Sequence, residues 1–209
     1  MLTATEPNVA FARLASDEQI MRAAQALEAN GMHTLLAANG EAARQMVFDL
    51  LPQGAEVFTA TSRTLETLGI LAELETQTQY DSVRARLSTM DDKTQHRAMV
   101  KLGATPEYVL GSVHAVTEAG SVLIASMSGS QLAPYAAAAA KVIWVVGAQK
   151  VVKDVEEGMR RVEEYAFPLE DQRVAQYGIH SGINKVLIVN KEIIPGRITL
   201  IIVKEKLGF

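Results

Sequence analysis

Hydrophobic residues recur at helical and strand spacings along the first third of the chain, and the two patterns alternate. Ser16 and Gln19 have the spacing of a helix capping box, and apolar residues follow at helical intervals from Ile20 until Gly31. Strands are predicted over 32–38 and 55–60, and helices over 41–51 and from about 64 to 71. Since helices separate successive strands, the pattern predicts a parallel sheet with crossover helices.

The second half of the chain continues this pattern. Apolar spacing between Tyr80 and Thr105 predicts two helices with Asp91 as a cap between them. Strands are predicted over 108–110, 122–125 and 141–146, with an alanine-rich helix before the last of them. The segment 154–165 predicts an amphipathic helix in which Glu157 and Arg161 pair one turn apart on a solvated face.

The C-terminal segment contains two apolar runs, 185–189 and 198–203, separated by Pro195 and Gly196, which predicts a hairpin. The predicted fold class is therefore α/β: a mostly parallel sheet wound with helices on both faces, with a C-terminal β-hairpin. No internal repeat, linker or block of like charges in the sequence marks a boundary between domains. Residues 1–209 are thus predicted to form a single domain, in which the helices of 80–105 form a flap.

Charge and hydropathy exclude several classes of partner. The 209 residues carry a formal charge of −4 with the two signs interspersed, so no basic stripe is available for nucleic acid or an anionic membrane surface. The longest apolar stretch, 132–148, is interrupted by Pro134 and Lys141 and is too short to span a bilayer. The N-terminal residues lack the pattern of a secretion signal, so we expect a cytoplasmic protein.

The chain contains no cysteine and only four histidines. It therefore has no thiol nucleophile and no ligands for a cysteine-bound iron–sulfur cluster. The histidines lack the spacing of a metal site, so no metal is predicted. Neither a Walker lysine nor a Gly-x-Gly-x-x-Gly run is present, which leaves the cofactor unidentified. Any redox partner must bring its own cofactor.

Glu118 is the candidate catalytic residue, because it lies in a small-residue turn directly before an apolar strand. Ligands of open α/β sheets collect where strands meet loops, and Gly120 leaves room for a substrate beside the backbone. Ser121 adds a hydroxyl to the same turn. His114 is a candidate proton-transfer partner. The alternatives are a solvated glutamate in an ordinary turn and a histidine with only local hydrogen bonds.

Two hydroxyl-rich loops are candidate anion-binding sites. Thr61, Ser62 and Thr64 lie where a strand ends and a helix begins, so hydroxyls and backbone N–H groups gather where the helix dipole favours an anion. Gly129 and Ser130 belong to a second such turn, before the alanine-rich helix. A plain helix cap explains each loop almost as well. We expect both loops to converge with the Glu118 turn on one hollow at the rim of the sheet.

Three segments together resemble the lactate-utilisation (LUD) domain family. They are 61–69, TSRTLETLG; 117–122, TEAGSV; and 201–209, IIVKEKLGF. Their order and spacing extend the similarity from about the first helix to the last residue. The resemblance implies a sheet related to ribose phosphate isomerases, coenzyme A transferases and the formyltetrahydrofolate cyclo-ligase group, whose ligands bind over the strand ends.

The resemblance also implies a role for Glu118. In coenzyme A transferases that look similar, a glutamate before glycine attacks the thioester, and Glu118 occupies the matching motif as a covalent nucleophile with N–H groups holding the oxyanion. The chain departs from the transferases by lacking their other glycine-rich oxyanion motif. It departs from many LUD relatives by lacking a C-terminal cysteine cluster, where it reads YGIHSGIN over 177–184.

The leading functional hypothesis is an accessory component of lactate utilisation with a cleft for a small anionic metabolite. The cleft would be formed by the loops at 61–64, 118–121 and 128–131. Such a protein would work beside an iron–sulfur or flavin partner protein, which supplies the electron acceptor. The alternatives are a free-standing transferase or isomerase acting on a thioester, sugar phosphate or folate-like ligand through Glu118, and a non-catalytic assembly subunit. Assembly into a homo-oligomer stays open.

Overall fold

A computed structural model describes residues 6–76 and 79–209. Residues 1–5, which include most of the segment used to predict that no secretion signal is present, lie outside the described residues. The α-helices are α1 (Asp17–Ala29), α2 (Gly40–Asp49), α3 (Arg63–Thr67), α4 (Ile70–Thr76), α5 (Val83–Ser88), α6 (Asp92–Ala104), α7 (Val155–Arg161) and α8 (Phe167–Ala175). The strands are β1 (His33–Ala37), β2 (Glu56–Thr59), β3 (Asp81–Ser82), β4 (Tyr108–Gly111), β5 (Ala115–Thr117), β6 (Val122–Ser126), β7 (Lys141–Gly147), β8 (Val151–Val152), β9 (Lys185–Val189) and β10 (Ile198–Val203).

The main sheet is parallel throughout, with the strand order β1-β10-β7-β4-β2-β3. Along β10, Leu200 and Ile202 face one hydrophobic cluster, whereas Ile201 and Val203 face a second cluster on the opposite side. A strand buried on both faces has an almost continuous apolar sequence, which explains the run ITLIIV. The predicted parallel sheet is confirmed.

Helices cover both faces of this sheet. Helix α1 packs on one face through Ile20 and Leu27. Helices α2, α3 and α4 pack on the other face through Val47, Leu65 and Ile70. The alternation of helix and strand in the sequence therefore predicts the winding correctly.

A second, smaller sheet lies beside the main one, in the order β8-β5-β6-β9. Val116 and Ile124 contribute to the large cluster shared with the main sheet, whereas Leu123 packs against α7. The sheet is thus sandwiched between the main sheet and α7. Sequence patterns do not indicate it, because β5 has three residues and β8 has two.

Both C-terminal strands are present, but the prediction that they pair as a hairpin is wrong. Strand β9 pairs antiparallel with β6 in the small sheet, whereas β10 lies between β1 and β7 in the main sheet. Every residue of β10 is buried, while β9 lies at an edge with its residues exposed or half-buried. At Pro195 and Gly196 the chain passes from the small sheet to the main sheet. In the sequence, only the greater burial expected of β10 than of β9 would distinguish this arrangement from a hairpin.

The predicted caps are present at two helices. Ser16 Oγ accepts from the Gln19 amide at 3.3 Å, and the Gln19 side chain accepts from the Ser16 amide at 3.1 Å, which completes the capping box of α1. Asp91 caps α6. Helix α7, a π-helical turn (Val162–Ala166) and α8 follow without a break, so the chain is helical from 155 to 175. Within the described residues no helix combines the length and apolarity needed to cross a membrane.

Candidate functional site

A cavity of about 370 Å³ opens where the strands β2 and β4 end. This is the carboxyl edge of the parallel sheet, the edge at which open α/β sheets bind ligands. The volume lies near the lower end of the range for small-molecule sites. The lining comes from 60–64, 112–114, 125–128, 130–131, 179–183, the helical run 155–175, and the single residues Phe58, Arg84, Tyr135, Lys150 and Phe209.

Lys150 is the most unusual group in the cavity wall, because it is a buried amine that has no carboxylate partner among the described residues. Its side chain is 2% exposed, and Nζ donates to Thr64 Oγ1 at 3.1 Å and to Ser112 Oγ at 3.0 Å. The Ser112 hydroxyl donates onward to the Val145 carbonyl at 2.6 Å. Burial, together with the nearby Arg161 guanidinium, holds the pKa of Lys150 well below its usual range.

The C-terminal segment holds Thr64 against Lys150. The Gln149 side chain donates to the carbonyls of Leu207 and Gly208 and accepts from the Leu207 amide. Thr64 Oγ1 lies 3.2 Å from the Leu207 carbonyl, and a Cβ at Gly208 would come within 2.6 Å of that hydroxyl. The segments 61–69 and 201–209, which carry much of the family resemblance, therefore meet beside Lys150.

His114 lies in the same wall as a neutral imidazole. Its Nδ1 accepts from the Ala125 amide at 3.1 Å, which places the proton of the neutral ring on Nε2. Burial, and then the cations Lys150 and Arg161, lower the pKa of His114 to about 3. The predicted proton-transfer role therefore stays a prediction, now with a defined tautomer.

Arg161 positions the backbone around these two residues. It is fully buried, and its guanidinium donates to the carbonyls of Gln149 and His114 and lies 5.2 Å from the centre of the Tyr165 ring. Burial lowers the pKa of Arg161 to about 10. The prediction of a solvated Arg161 paired with Glu157 is wrong, because the glutamate caps the amide of residue 153 and residue 161 lies on the buried face of the helical run.

Arg84 is the second basic residue of the cavity wall that has no carboxylate partner among the described residues. It donates to Thr59 Oγ1 at 3.2 Å, to the Thr59 carbonyl at 2.8 Å and to Thr61 Oγ1 at 3.4 Å. The other arginines of the lining are neutralised locally: Arg63 pairs with Glu66 and Arg173 pairs with Glu170. Among the described residues of the lining, Arg84 therefore supplies a positive charge that no carboxylate offsets, and Lys150 adds a buried amine.

The structure brings the two hydroxyl-rich loops together. Thr61, Ser62, Thr64 and Ser130 all line the cavity, whereas Gly129 lies in the turn behind it, against the side chain of Lys185. Ser62 also accepts from the Leu65 amide and so caps α3. Helix α3 has five residues, which is too few for a strong dipole. An anion at this loop would therefore be bound mainly by the hydroxyls and less by the N-terminus of the helix.

The structure does not bring Glu118 into this cavity. Its carboxylate accepts from Gln19 Nε2 at 2.9 Å and from Arg22 Nε at 2.7 Å, both on α1. These two hydrogen bonds, the one from Arg22 being the stronger influence, hold the pKa of Glu118 below its usual range. Glu118 lies in the tight turn between β5 and β6 of the small sheet, not at the carboxyl edge of the parallel sheet. The expectation that Glu118 and Thr61 share one hollow is not met for this reason.

Gly120 and Ser121 likewise contact protein. A Cβ at Gly120, which has φ +79°, would lie 2.7 Å from the Ala26 carbonyl oxygen. The Asn30 side chain donates to the Gly120 carbonyl at 3.2 Å, and the Ser121 hydroxyl donates to Asn190 at 2.9 Å. The small residues of this turn therefore make room for helix α1. The sequence predicts that the same room admits a substrate.

Tyr135 closes the cavity over the end of β4. Its ring meets Trp144 edge-on at 5.2 Å, and the side chain is 1% exposed. Its hydroxyl has no hydrogen-bond partner in the described part of the chain. A Cβ at Gly111 would lie 1.7 Å from that hydroxyl, so only glycine fits at this position.

Lys150, Arg84, Tyr135 and Ser112 are site residues that the sequence patterns did not indicate. Lys150 offered one signal: it is the only charged residue in the apolar stretch VIWVVGAQKVV, 142–152. A lone cation inside a buried run is costly unless something offsets it. Arg84 offered no signal, because it lies among ordinary helix-surface residues.

Comparison with known proteins supports the fold. A family model described as the LUD domain matches residues 20–203. The crystal structure of a DUF162 family protein from Deinococcus radiodurans has a similar fold, with a TM-score of 0.56 and 13% identity over 91% of this chain and 99% of that one. At that identity the similarity concerns the fold alone. No curated protein matches the chain. Because the family model covers most of its length, the chain belongs to the LUD domain family.

Proposed function

We propose that the cavity binds a small carboxylate metabolite of the lactate and pyruvate class, and that the protein is an accessory component of lactate utilisation. The observation that carries the proposal is Arg84, a cation of the cavity wall with no carboxylate partner among the described residues, together with the buried amine of Lys150, whose Nζ donates to two hydroxyls. A positive group that lacks a counter-ion favours an anionic ligand, and an anion beside Lys150 would offset part of the cost of charging its buried amine.

The rest of the lining suits a small hydroxylated or carbonyl-bearing anion. Hydroxyls of Thr61, Ser62 and Ser130 line the cavity beside Arg84 and Lys150, and Phe58 and Val113 supply apolar surface. Polar groups that converge in a partly apolar pocket can fix the orientation of a small metabolite. A carboxylate can thus be held by the Arg84 guanidinium and by an N–H of Lys150 while hydroxyls contact the remaining oxygen.

The proposed role requires a second protein. Lactate oxidation releases electrons, and this chain has no cysteine and no flavin or nicotinamide motif to accept them. We therefore place the protein beside an iron–sulfur or flavin partner. The rival role as a transferase or isomerase acting through Glu118 has less support, because that carboxylate is held by α1 outside the cavity.

Ligand-dependent thermal stabilisation tests the proposal. L-lactate, pyruvate, ribose 5-phosphate and coenzyme A would be compared on the wild type, Lys150→Met and Glu118→Gln. Lactate or pyruvate is expected to raise the melting temperature of the wild type and of Glu118→Gln, since a ligand that binds only the native state stabilises it by mass action. Lys150→Met should respond far less.

Three results would overturn the assignment. Stabilisation by ribose 5-phosphate or coenzyme A but by neither carboxylate would favour the transferase or isomerase role. Equal stabilisation of the wild type and Lys150→Met by lactate would show that the ligand binds elsewhere. Absence of any response to all four compounds would support the non-catalytic assembly subunit.

A further inference from the structure

The hydrogen bonds of Lys150 fit a neutral amine better than an ammonium group. The hydroxyls of Ser112 and Thr64 each have a backbone carbonyl within reach as acceptor, which leaves both oxygens to accept from Nζ. An ammonium group carries three N–H donors, and the described residues offer Nζ these two acceptors. A neutral amine uses both of its N–H bonds here and keeps its lone pair free.

The surroundings of Lys150 also favour the uncharged form. The side chain is almost fully buried, and Arg161, itself buried and without a carboxylate partner in the described residues, lies close enough to disfavour a second positive charge. Desolvation and a neighbouring cation are the two means by which proteins make a lysine nucleophilic near neutral pH.

We propose that Lys150 Nζ captures the carbonyl carbon of a 2-oxo acid as an imine. The inference rests on the proposed function, which supplies the carboxylate-binding cavity, and it names the class of substrate: a carboxylate with an adjacent ketone or aldehyde. Lactate, which has a hydroxyl in place of the carbonyl, binds without forming this bond.

The step balances without an oxidant or a reductant. The lone pair of Nζ forms the C–N bond while the carbonyl π pair moves to oxygen, which takes up one of the two protons of the nitrogen. The resulting carbinolamine loses its oxygen as water, and the second proton of that water also comes from the nitrogen. One amine and one carbonyl thus give one imine and one water.

Other residues of the cavity suit this addition. Arg84 donates to Thr61, three residues from the Thr64 that holds Nζ, so a cation for the carboxylate and the amine for the carbonyl lie along one short segment. The hydroxyl of Tyr135, which lines the cavity without a hydrogen-bond partner among the described residues, is available to donate a proton to the departing oxygen.

Reductive trapping tests the inference. The full chain would be incubated with pyruvate and sodium cyanoborohydride at pH 7, which reduces an imine to a stable secondary amine, and the modified lysine would be located by peptide mass spectrometry. Modification of Lys150 is expected at least about tenfold faster than that of Lys153, an exposed lysine three residues on, because burial and the nearby Arg161 lower the pKa of Lys150 and so favour its nucleophilic form.

Variants separate chemistry from folding. Lys150→Arg keeps a donor for both hydroxyls but cannot form an imine, and it should lose trapping at the site while the melting temperature reports whether it folds. Lys153→Met should be trapped at Lys150 like the wild type. Tyr135→Phe should slow trapping several-fold, and its melting temperature reports whether the slower trapping comes from a loss of fold.

The outcomes distinguish this inference from the proposed function. If lactate stabilises the protein and pyruvate gives no adduct at Lys150 above the level at Lys153, imine formation is overturned while carboxylate binding stands. If neither compound stabilises the protein and no adduct forms, both are overturned. A Lys150 adduct whose rate follows the pH profile of Lys153 would also contradict the inference, since the neutral amine must already be present near pH 7.

Discussion

Glu118 and Lys150 both lie beside small residues next to the end of a strand, but the protein surrounds them differently. Around Glu118, the space left by Gly120 is filled by α1, whose Arg22 and Gln19 take both carboxylate oxygens. Around Lys150, the neighbouring side chains leave an open cavity of about 370 Å³. Small residues in a turn indicate a close approach, and only the tertiary structure shows whether a helix or a ligand makes it.

The electrostatic difference between the two sites is as large as the geometric one. The side chain of Glu118 is 21% exposed and already has an opposite charge, so its charged form gains little from a further partner. Lys150 is buried, and its hydrogen-bond partners within the described ranges are hydroxyls, so an arriving anion would change its electrostatic environment strongly. Binding energy is therefore expected at Lys150 rather than at Glu118.

The largest expected effect is on the packing of the Glu118 turn. Gly120→Ala should destabilise the fold by roughly 2–5 kcal/mol, because the new Cβ meets the backbone of Ala26 at a positive φ. Gly178→Ala is a matched control, since Gly178 has φ +72° but open space around it, and it should cost only about 1–2 kcal/mol. Equal unfolding free energies of the two variants in urea would mean that α1 does not fill the turn.

Ligand binding should show the next largest difference. Lys150→Met is expected to weaken lactate or pyruvate binding by roughly 10- to 150-fold, the range for a lost hydrogen bond to a charged group. Glu118→Gln, measured by calorimetry under the same conditions, should stay within about twofold of the wild type, because its side chain lies outside the cavity. Parallel losses in both variants would contradict the separation of the two regions.

The pH dependence of stability should reveal the neutral imidazole in the cavity wall. As pH falls below about 6.5 the unfolded chain protonates its histidine, while folded His114 stays neutral down to about 3. The unfolded state then binds more protons, so the free energy of unfolding falls, by roughly 1–2 kcal/mol between pH 7 and pH 5. His114→Asn, which keeps an acceptor for the Ala125 amide, should flatten this dependence.

The smallest effect is expected from the ion pair of the turn. Glu118→Gln should lower the melting temperature by no more than about 4 °C at pH 7, because a partly exposed pair contributes little. The depressed pKa of Glu118 means that its contribution is present at neutral pH and is lost as pH falls below its ordinary range. A loss of more than about 10 °C would show that the carboxylate is a structural centre of the fold.

The sequence predicts elements that depend on local patterns. The capping box of Ser16 and Gln19, the Asp91 cap and the parallel sheet follow from side-chain spacing alone, and all are present. The pairing of β9 and β10 does not, because turn residues at 195–196 are compatible with a hairpin and with a change of sheet. The pairing of strands that are distant in sequence depends on which apolar run is buried on both faces. Short stretches of sequence do not show this.

The candidate site was predictable only in part, for a related reason. Hydroxyls at Thr61, Ser62 and Thr64 lie after a strand, and the sequence places them at a sheet edge correctly. Lys150 is recruited from a distant strand end by tertiary packing, and Arg161 looks like half of a surface ion pair until its helix is docked. Charge patterns in sequence describe solvated faces well and buried, unpaired cations poorly.

A crystal structure of the protein with bound lactate tests the central claim most directly. We predict a lactate carboxylate in the cavity, with an oxygen about 2.7–3.2 Å from Lys150 Nζ or from the guanidinium of Arg84. Lactate bound at the Glu118 turn, or in the cavity without contact to Lys150 or Arg84, would contradict the account.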